Sequence, residues 1–220
     1  MSADRLKLGI LISGRGTNMA ALIDACAAPG FPAKVALVIS NRADAAGLVR
    51  AGEAGIATRV IPHGDFPDRE SFDAALDAAL REAGVELVCL AGFMRLLSEG
   101  FVSDWRDRAI NIHPSLLPAF KGLDVQARAV AAGVRFSGCT VHFLRPAMDD
   151  GPIIVQAAVP VLADDTGDSL AARILAEEHR CYPLAVRLIA EGRARVVAER
   201  VEIAGAQAPG AGLINPATEG

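Results

Sequence analysis

Of 220 residues, 52% are hydrophobic and 22% charged, which suits one sizeable core and excludes a largely disordered chain. A net charge of -4 and a pI near 5.6 offer little attraction to phosphate polymers, so no nucleic-acid partner is expected. No apolar run approaches the roughly 20 uncharged residues that span a bilayer, and Met1-Ser2-Ala3-Asp4-Arg5 leads straight into a strand pattern. No membrane partner and a cytoplasmic location follow as expectations.

Apolar, β-rich runs at Leu6 to Ser13, Lys34 to Ser40, Thr58 to Ile61, Glu86 to Ala91 and Ala109 to His113 read as strands. Between them, Met19, Leu22, Ile23 and Cys26 mark one helix face, and Phe72, Leu76, Ala79 and Leu80 mark another. This alternation predicts an α/β fold with a doubly wound, mostly parallel sheet, whose ligands lie beyond the carboxyl ends of the strands. Beyond residue 136, two longer runs, Gly138 to Leu144 and Pro152 to Leu162, flank the turn-rich Arg145-Pro146-Ala147-Met148-Asp149-Asp150-Gly151. They predict an antiparallel extension of the same sheet. A helix is expected from an N-cap at Asp168 or Ser169, kinked at Pro183, and Arg193 to Ile203 reads as a small β-element. Residues 204–220, rich in Gly, Ala and Pro, read as a mobile tail after a single domain over residues 1–203. Cys26, Cys89, Cys139 and Cys181 form no C-x-x-C pair and fall in apolar segments, so they read as reduced core thiols rather than disulfides or metal ligands.

Residues suited to chemistry cluster at a few points along this pattern. Ser13-Gly14-Arg15-Gly16-Thr17-Asn18 joins the first strand to the first helix, where free N–H groups favour an anion. The competing reading is a tight turn capped by Thr17 or Asn18. Met19 stands where a dinucleotide fingerprint has its third glycine, and the next strand ends in Ser40-Asn41-Arg42 rather than an acidic ribose ligand. The loop also lacks the Gly-Lys-Ser/Thr of a nucleoside-triphosphate site, so a single phosphate on a small substrate is the better reading. Further on, Asn111 and His113 share one face of a strand, and Pro114 stops sheet pairing and exposes the histidine. An imidazole moves protons near neutral pH, and a carboxamide can hydrogen-bond a carbonyl oxygen that is becoming an oxyanion. The pair therefore points to acyl-type transfer, although either residue alone reads as a hydrogen-bonded structural group. Asp149 belongs either to an ordinary acidic turn or opposite His113, where it would favour the imidazolium and hold a relay water. Glu178 interrupts the helical stripe of Leu170, Ile174, Cys181, Ala185 and Leu188, and a carboxylate there needs an arginine, solvent or a ligand.

Five segments in order resemble the phosphoribosylglycinamide formyltransferase family of folate-dependent formyltransferases, over roughly residues 6–200. They are Leu11-Ile12-Ser13-Gly14 with Gly16-Thr17-Asn18, Leu90-Ala91-Gly92-Phe93-Met94-Arg95, Asn111-Ile112-His113-Pro114-Ser115-Leu116-Leu117-Pro118, Val141-His142-Phe143 and Asp149-x-Gly151-Pro152. The resemblance implies formyl transfer from the cosubstrate 10-formyltetrahydrofolate to the amine of glycinamide ribonucleotide in de novo purine biosynthesis, without a metal. It implies catalytic roles for Asn111, His113 and Asp149, and ribonucleotide binding by Gly16, Thr17, Asn18 and Glu178. It also implies a folate site lined by Met94, Arg95, Leu96, Leu97 and Asn111, with Arg69 near the folate carboxylate tail. Arg145, Pro146, Ala147, Met148 and Asp149 would contact the pterin. The same resemblance divides the domain into a phosphate-binding half, about residues 1–105, and a catalytic and folate half, about residues 106–203.

Arg15, Lys121 and Asp124-Val125-Gln126 depart from the family pattern. The related tRNA formyltransferases carry a further carboxy-terminal domain and need a basic surface, and the deformylases carry an additional amino-terminal domain, so both fit this chain less well. A non-catalytic phosphosugar or folate sensor would use the same pocket without needing Asn111, His113 and Asp149 together.

Overall fold

The computed structural model describes residues 5–207, 210 and 212–216. Five strands come first: β1 (Leu6–Ile12), β2 (Ala33–Ser40), β3 (Thr58–Val60), β4 (Leu87–Leu90) and β5 (Ala109–His113). Helices α1 (Thr17–Ala27), α2 (Ala46–Glu53), α3 (Arg69–Glu82) and α4 (Glu99–Asp104) alternate with them. After β5 come α5 (Val125–Ala131), β6 (Phe136–Phe143), β7 (Ile153–Pro160) and the long α6 (Gly167–Ala190). A separate hairpin of β8 (Ala194–Val197) and β9 (Arg200–Ile203) follows.

The seven-stranded sheet has the order β3-β2-β1-β4-β5-β6-β7. Strands β1 to β5 pair in parallel, and β5–β6 and β6–β7 pair antiparallel. The α/β class and the antiparallel extension read from the sequence are both present. Strand alternation sorts the apolar side chains into two cores. Leu8, Ile10, Ile12, Cys89, Ile110 and Ile112 pack with residues of α1 and α6 on one face. Leu11, Val88, Leu90 and Ala109 turn to the other face, against Phe72, Leu76 and Leu80 of α3 and against Phe101 and Trp105. Tyr182 of α6 is fully buried, and its hydroxyl donates to the Leu90 carbonyl at 2.8 Å, with the Ile110 carbonyl at 3.3 Å. That hydroxyl bridges β4 and β5 where their ladder ends at Leu90 and Asn111.

Some local expectations shift. The late helix is capped by Thr166 rather than by Asp168 or Ser169: Thr166 Oγ1 accepts from the Ser169 N–H at 3.2 Å, and Ser169 Oγ accepts from the Thr166 N–H at 3.0 Å. The helix continues as one element through Pro183. Helices α2, α4 and α5 are not legible from periodicity, because none exceeds 8 residues and each shows its apolar face barely twice. The mobile tail expected over residues 204–220 lies partly outside the described residues. Within them, Asn215 Nδ2 donates to the carbonyls of Arg135 and Val161 at 2.6 and 3.2 Å. The four cysteines are free and buried, as core thiols should be. Among the described residues no helix is long and apolar enough to cross a membrane.

Candidate active site

At the carboxyl end of β1 the chain turns through Ser13–Gly16 into α1. Gly16 is the helix N-cap at φ 68° and ψ 33°, a left-handed conformation that glycine adopts without strain. A Cβ at Gly16 would lie 3.0 Å from the Gly47 Cα in the first turn of α2. No side chain caps α1, so the capping roles considered for Thr17 and Asn18 are not realised. The first-turn N–H groups point outward at the positive end of the helix, an arrangement that suits a phosphate. Asn18 faces α6 instead, and its Nδ2 donates to Glu178 Oε2 at 2.7 Å. The partner of Glu178 is thus an amide rather than an arginine. Burial pushes the Glu178 carboxyl above the ordinary glutamate range, opposed by the Asn18 hydrogen bond. Asn18 Oδ1 is buried and has no partner among the described residues, so an acceptor is left open there.

The reactive cluster forms where the sheet changes from parallel to antiparallel. Register places Asn111 opposite His142 and His113 opposite Thr140. His142 Nδ1 donates to the Phe143 carbonyl at 2.9 Å, which leaves Nε2 as an acceptor for Asn111 Nδ2 at 3.4 Å. Burial lowers the His142 pKa, in keeping with a neutral ring. This contact orients the carboxamide of Asn111, a residue of the cavity wall.

His113 is buried rather than exposed as the following Pro114 suggests, because the Phe120 and Asp149 segments fold over it, with Nε2 2.9 Å from the Phe120 carbonyl and Nδ1 3.5 Å from Asp149 Oδ2. Both ring nitrogens face oxygen acceptors, and only the imidazolium can donate to both. With Nε2 engaged by Phe120, it is the Asn111 carboxamide rather than the His113 ring that keeps an N–H toward the cavity. Asp149 adopts φ 51°, which aspartate tolerates better than most residues, and its Oδ2 also accepts from the Gly122 N–H at 2.9 Å. The loop closes beside Gly151, where any Cβ would lie 1.7 Å from the Phe143 carbonyl oxygen. Thr140 Oγ1 donates to the Ser115 carbonyl at 2.7 Å and accepts from the Leu117 N–H at 3.1 Å, which secures the segment leaving His113.

A cavity of about 600 Å³ opens over these groups. Met94, Arg95, Leu96 and Leu97 line one side, and Arg145, Pro146, Ala147, Met148 and Asp149 line another, with Asn111 and His113 between them. Arg69 is the exception among the expected folate residues. It lies outside the cavity wall in the first turn of α3, one turn from Phe72, whose ring sits 5.8 Å from the Arg95 guanidinium. Sequence reasoning gave no site role to His142 or Ser13. Ser13 Oγ donates to Asn41 Oδ1 at 2.7 Å and accepts from the Met94 N–H at 2.8 Å, tying the turn at Gly16 to the cavity wall. His142 stood within a recognised motif, but its pairing with Asn111 depends on cross-strand register. Asp124, Val125 and Gln126, noted only as departures, also line the cavity. Among the described residues no group of His, Cys, Asp and Glu is placed to hold a metal ion.

An amide, an imidazole and a carboxylate gathered at the end of a doubly wound sheet, between an anion-facing helix start and an apolar cavity, define an α/β group-transfer enzyme acting at a carbonyl. The chain belongs to the Formyl transferase family, which it matches over residues 6–186. It is 52% identical over 201 residues to the trifunctional purine biosynthetic protein adenosine-3 of Drosophila pseudoobscura pseudoobscura, covering 90% of this chain and only 15% of that protein's length. The phosphoribosylglycinamide formyltransferase of Haemophilus influenzae is 40% identical over 209 residues, 95% of this chain and 99% of that one. Among solved structures, glycinamide ribonucleotide transformylase 1 from Symbiobacterium toebii matches with a TM-score of 0.89 at 51% identity, covering 92% of this chain and 95% of that one.

Proposed function

We propose that this protein transfers the formyl group of 10-formyltetrahydrofolate to the amine of 5'-phosphoribosylglycinamide, giving formylglycinamide ribonucleotide and tetrahydrofolate in de novo purine biosynthesis. The observation that carries this reading is the convergence of Asn111, His113 and Asp149 under one cavity. The uncapped start of α1 and the Asn18–Glu178 pair support binding of the ribonucleotide's phosphate and polar groups. The lining from Met94 to Leu97 and from Arg145 to Asp149 suits the folate, and Arg69 and Arg95 suit its carboxylate tail.

In the reaction the amine nitrogen bonds to the formyl carbon, and the carbonyl oxygen takes up negative charge. Asn111 donates to that oxygen, and the His113 imidazolium stabilises it by charge, sustained by Asp149. The bond from the formyl carbon to the folate nitrogen then breaks. The proton lost by the amine passes to that nitrogen through a water held by Asp149. No covalent enzyme intermediate is formed. The acidic net charge supports a site for small molecules rather than nucleic acid, and a cytoplasmic reaction suits these substrates.

The test is an assay of the purified protein with both substrates and with the folate alone. Formylated ribonucleotide formed only when the amine is present supports the proposal. Formate released without the amine would make the protein a deformylase, and binding of both substrates without transfer would make it a sensor.

A further inference from the structure

Arg145 opens the loop that carries Asp149, yet its guanidinium is committed inside the protein. Its Nε donates to Glu199 Oε2 at 2.6 Å, its Nη2 to Asp107 Oδ1 at 2.8 Å, and its Nη1 to the Leu144 carbonyl at 2.8 Å. The Arg145 side chain is only 9% exposed, so its charge depends on those carboxylates rather than on water. Glu199 sits at the tip of the β8–β9 hairpin, 54 residues further along the chain, and its other oxygen pairs with Arg106. Both carboxylates are held on tight turns: Asp107, Ala198 and Glu199 adopt φ of 56°, 47° and 60°. Left-handed backbone at residues with side chains persists where the surroundings over-determine it. At its far end the same loop is tied down separately, by the Gly122 N–H on Asp149 and by Lys121 pairing with Asp150.

We propose that Glu199 is a positioning residue for the active site, with the carboxy-terminal hairpin acting as a strut that holds the Asp149 loop through Arg145. The inference rests on the reading of Asp149 as the carboxylate partner of His113 in formyl transfer. If Glu199 loses its charge, Arg145 keeps only Asp107 as a counter-charge. The buried guanidinium must then move toward water and take the start of the loop with it. The turn at Gly16, which lies between the end of β1 and the start of α1, shares no hydrogen bond or ion pair with this network among the described residues and stays in place.

The experiment compares wild type with Glu199→Gln by hydrogen exchange and by steady-state kinetics. Faster exchange confined to residues 144–151 is expected, with a KM for the folate donor raised about tenfold and a KM for the ribonucleotide within about twofold of wild type. Glu199→Asp, which keeps the charge, should recover part of the donor KM. Unchanged loop exchange or an unchanged donor KM would overturn the strut. So would a parallel rise in both KM values with faster exchange across the whole sheet, because that pattern reports general loosening. If the wild type transfers no formyl group, the functional reading fails, while the exchange data still decide whether Glu199 holds the loop.

Discussion

Asn111 is the side chain on which the proposed chemistry most depends, because the proposed reaction assigns its N–H to the developing oxyanion. Asn111→Ala should lower kcat by on the order of 10² to 10³ with little change in thermal midpoint, since the residue is only partly buried. Turnover close to wild type would remove it from the mechanism. Glu178 adds a pH-dependent contribution to stability. Its folded-state pKa is raised by burial above the usual value of about 4.5, so the native state keeps a proton that the unfolded chain has released. This contribution is fully present below the unfolded value and is lost as pH rises through the folded one. Glu178→Gln does not titrate and can still accept from Asn18. Melting curves recorded from acid to neutral pH should therefore show the variant gaining on wild type as pH rises. A constant difference would mean that Glu178 ionises equally in both states.

Among the elements, the loop from Leu144 to Gly151 links architecture to chemistry. It leaves β6 beside Phe143, whose N–H donates to the Pro152 carbonyl at 2.9 Å, and returns so close that Gly151 has no room for a side chain. Gly151→Ala must push the loop off the strand end. A loss of about 2 kcal/mol in chemical denaturation is expected, together with a higher KM for the folate donor as Asp149 moves away from His113. Wild-type stability and kinetics in that variant would show that the loop can shift without cost. The β8–β9 hairpin braces the opposite end of the same loop, so an element far from the substrates in sequence shares in holding the carboxylate.

Across the whole molecule, one sheet separates two cores, and the site lies along its carboxyl edge. The cysteines are all buried within the larger core, and burial pushes the Cys26 thiol up to about 11 and the Cys89 thiol higher still. A thiolate-requiring reagent at neutral pH should therefore label Cys26 and Cys89 of the native protein at a rate set by unfolding, and should react at once with all four cysteines in denaturant. Rapid labelling of Cys26 or Cys89 under native conditions would reveal local opening of the core.

The division between what was legible in the chain and what was not follows from the range of the interactions. Local patterns were enough for the strand and helix alternation, the antiparallel extension, the shared face of Asn111 and His113, and the turn at Gly16. Those features depend on residues a few positions apart, where side-chain direction repeats every two or 3.6 residues. Motif resemblance then brought Asp149 and the cavity lining into one site. Short helices, the Thr166 cap and the position of Arg69 outside the cavity wall were not legible, because each turns on competing partners with similar local preference. Only the tertiary structure decided that His142 orients Asn111, that Phe120 takes His113 Nε2, that Asn18 rather than arginine meets Glu178, and that Glu199 reaches Arg145. These contacts span from 7 to 160 residues along the chain. Strand register and packing set them, and a linear pattern carries neither.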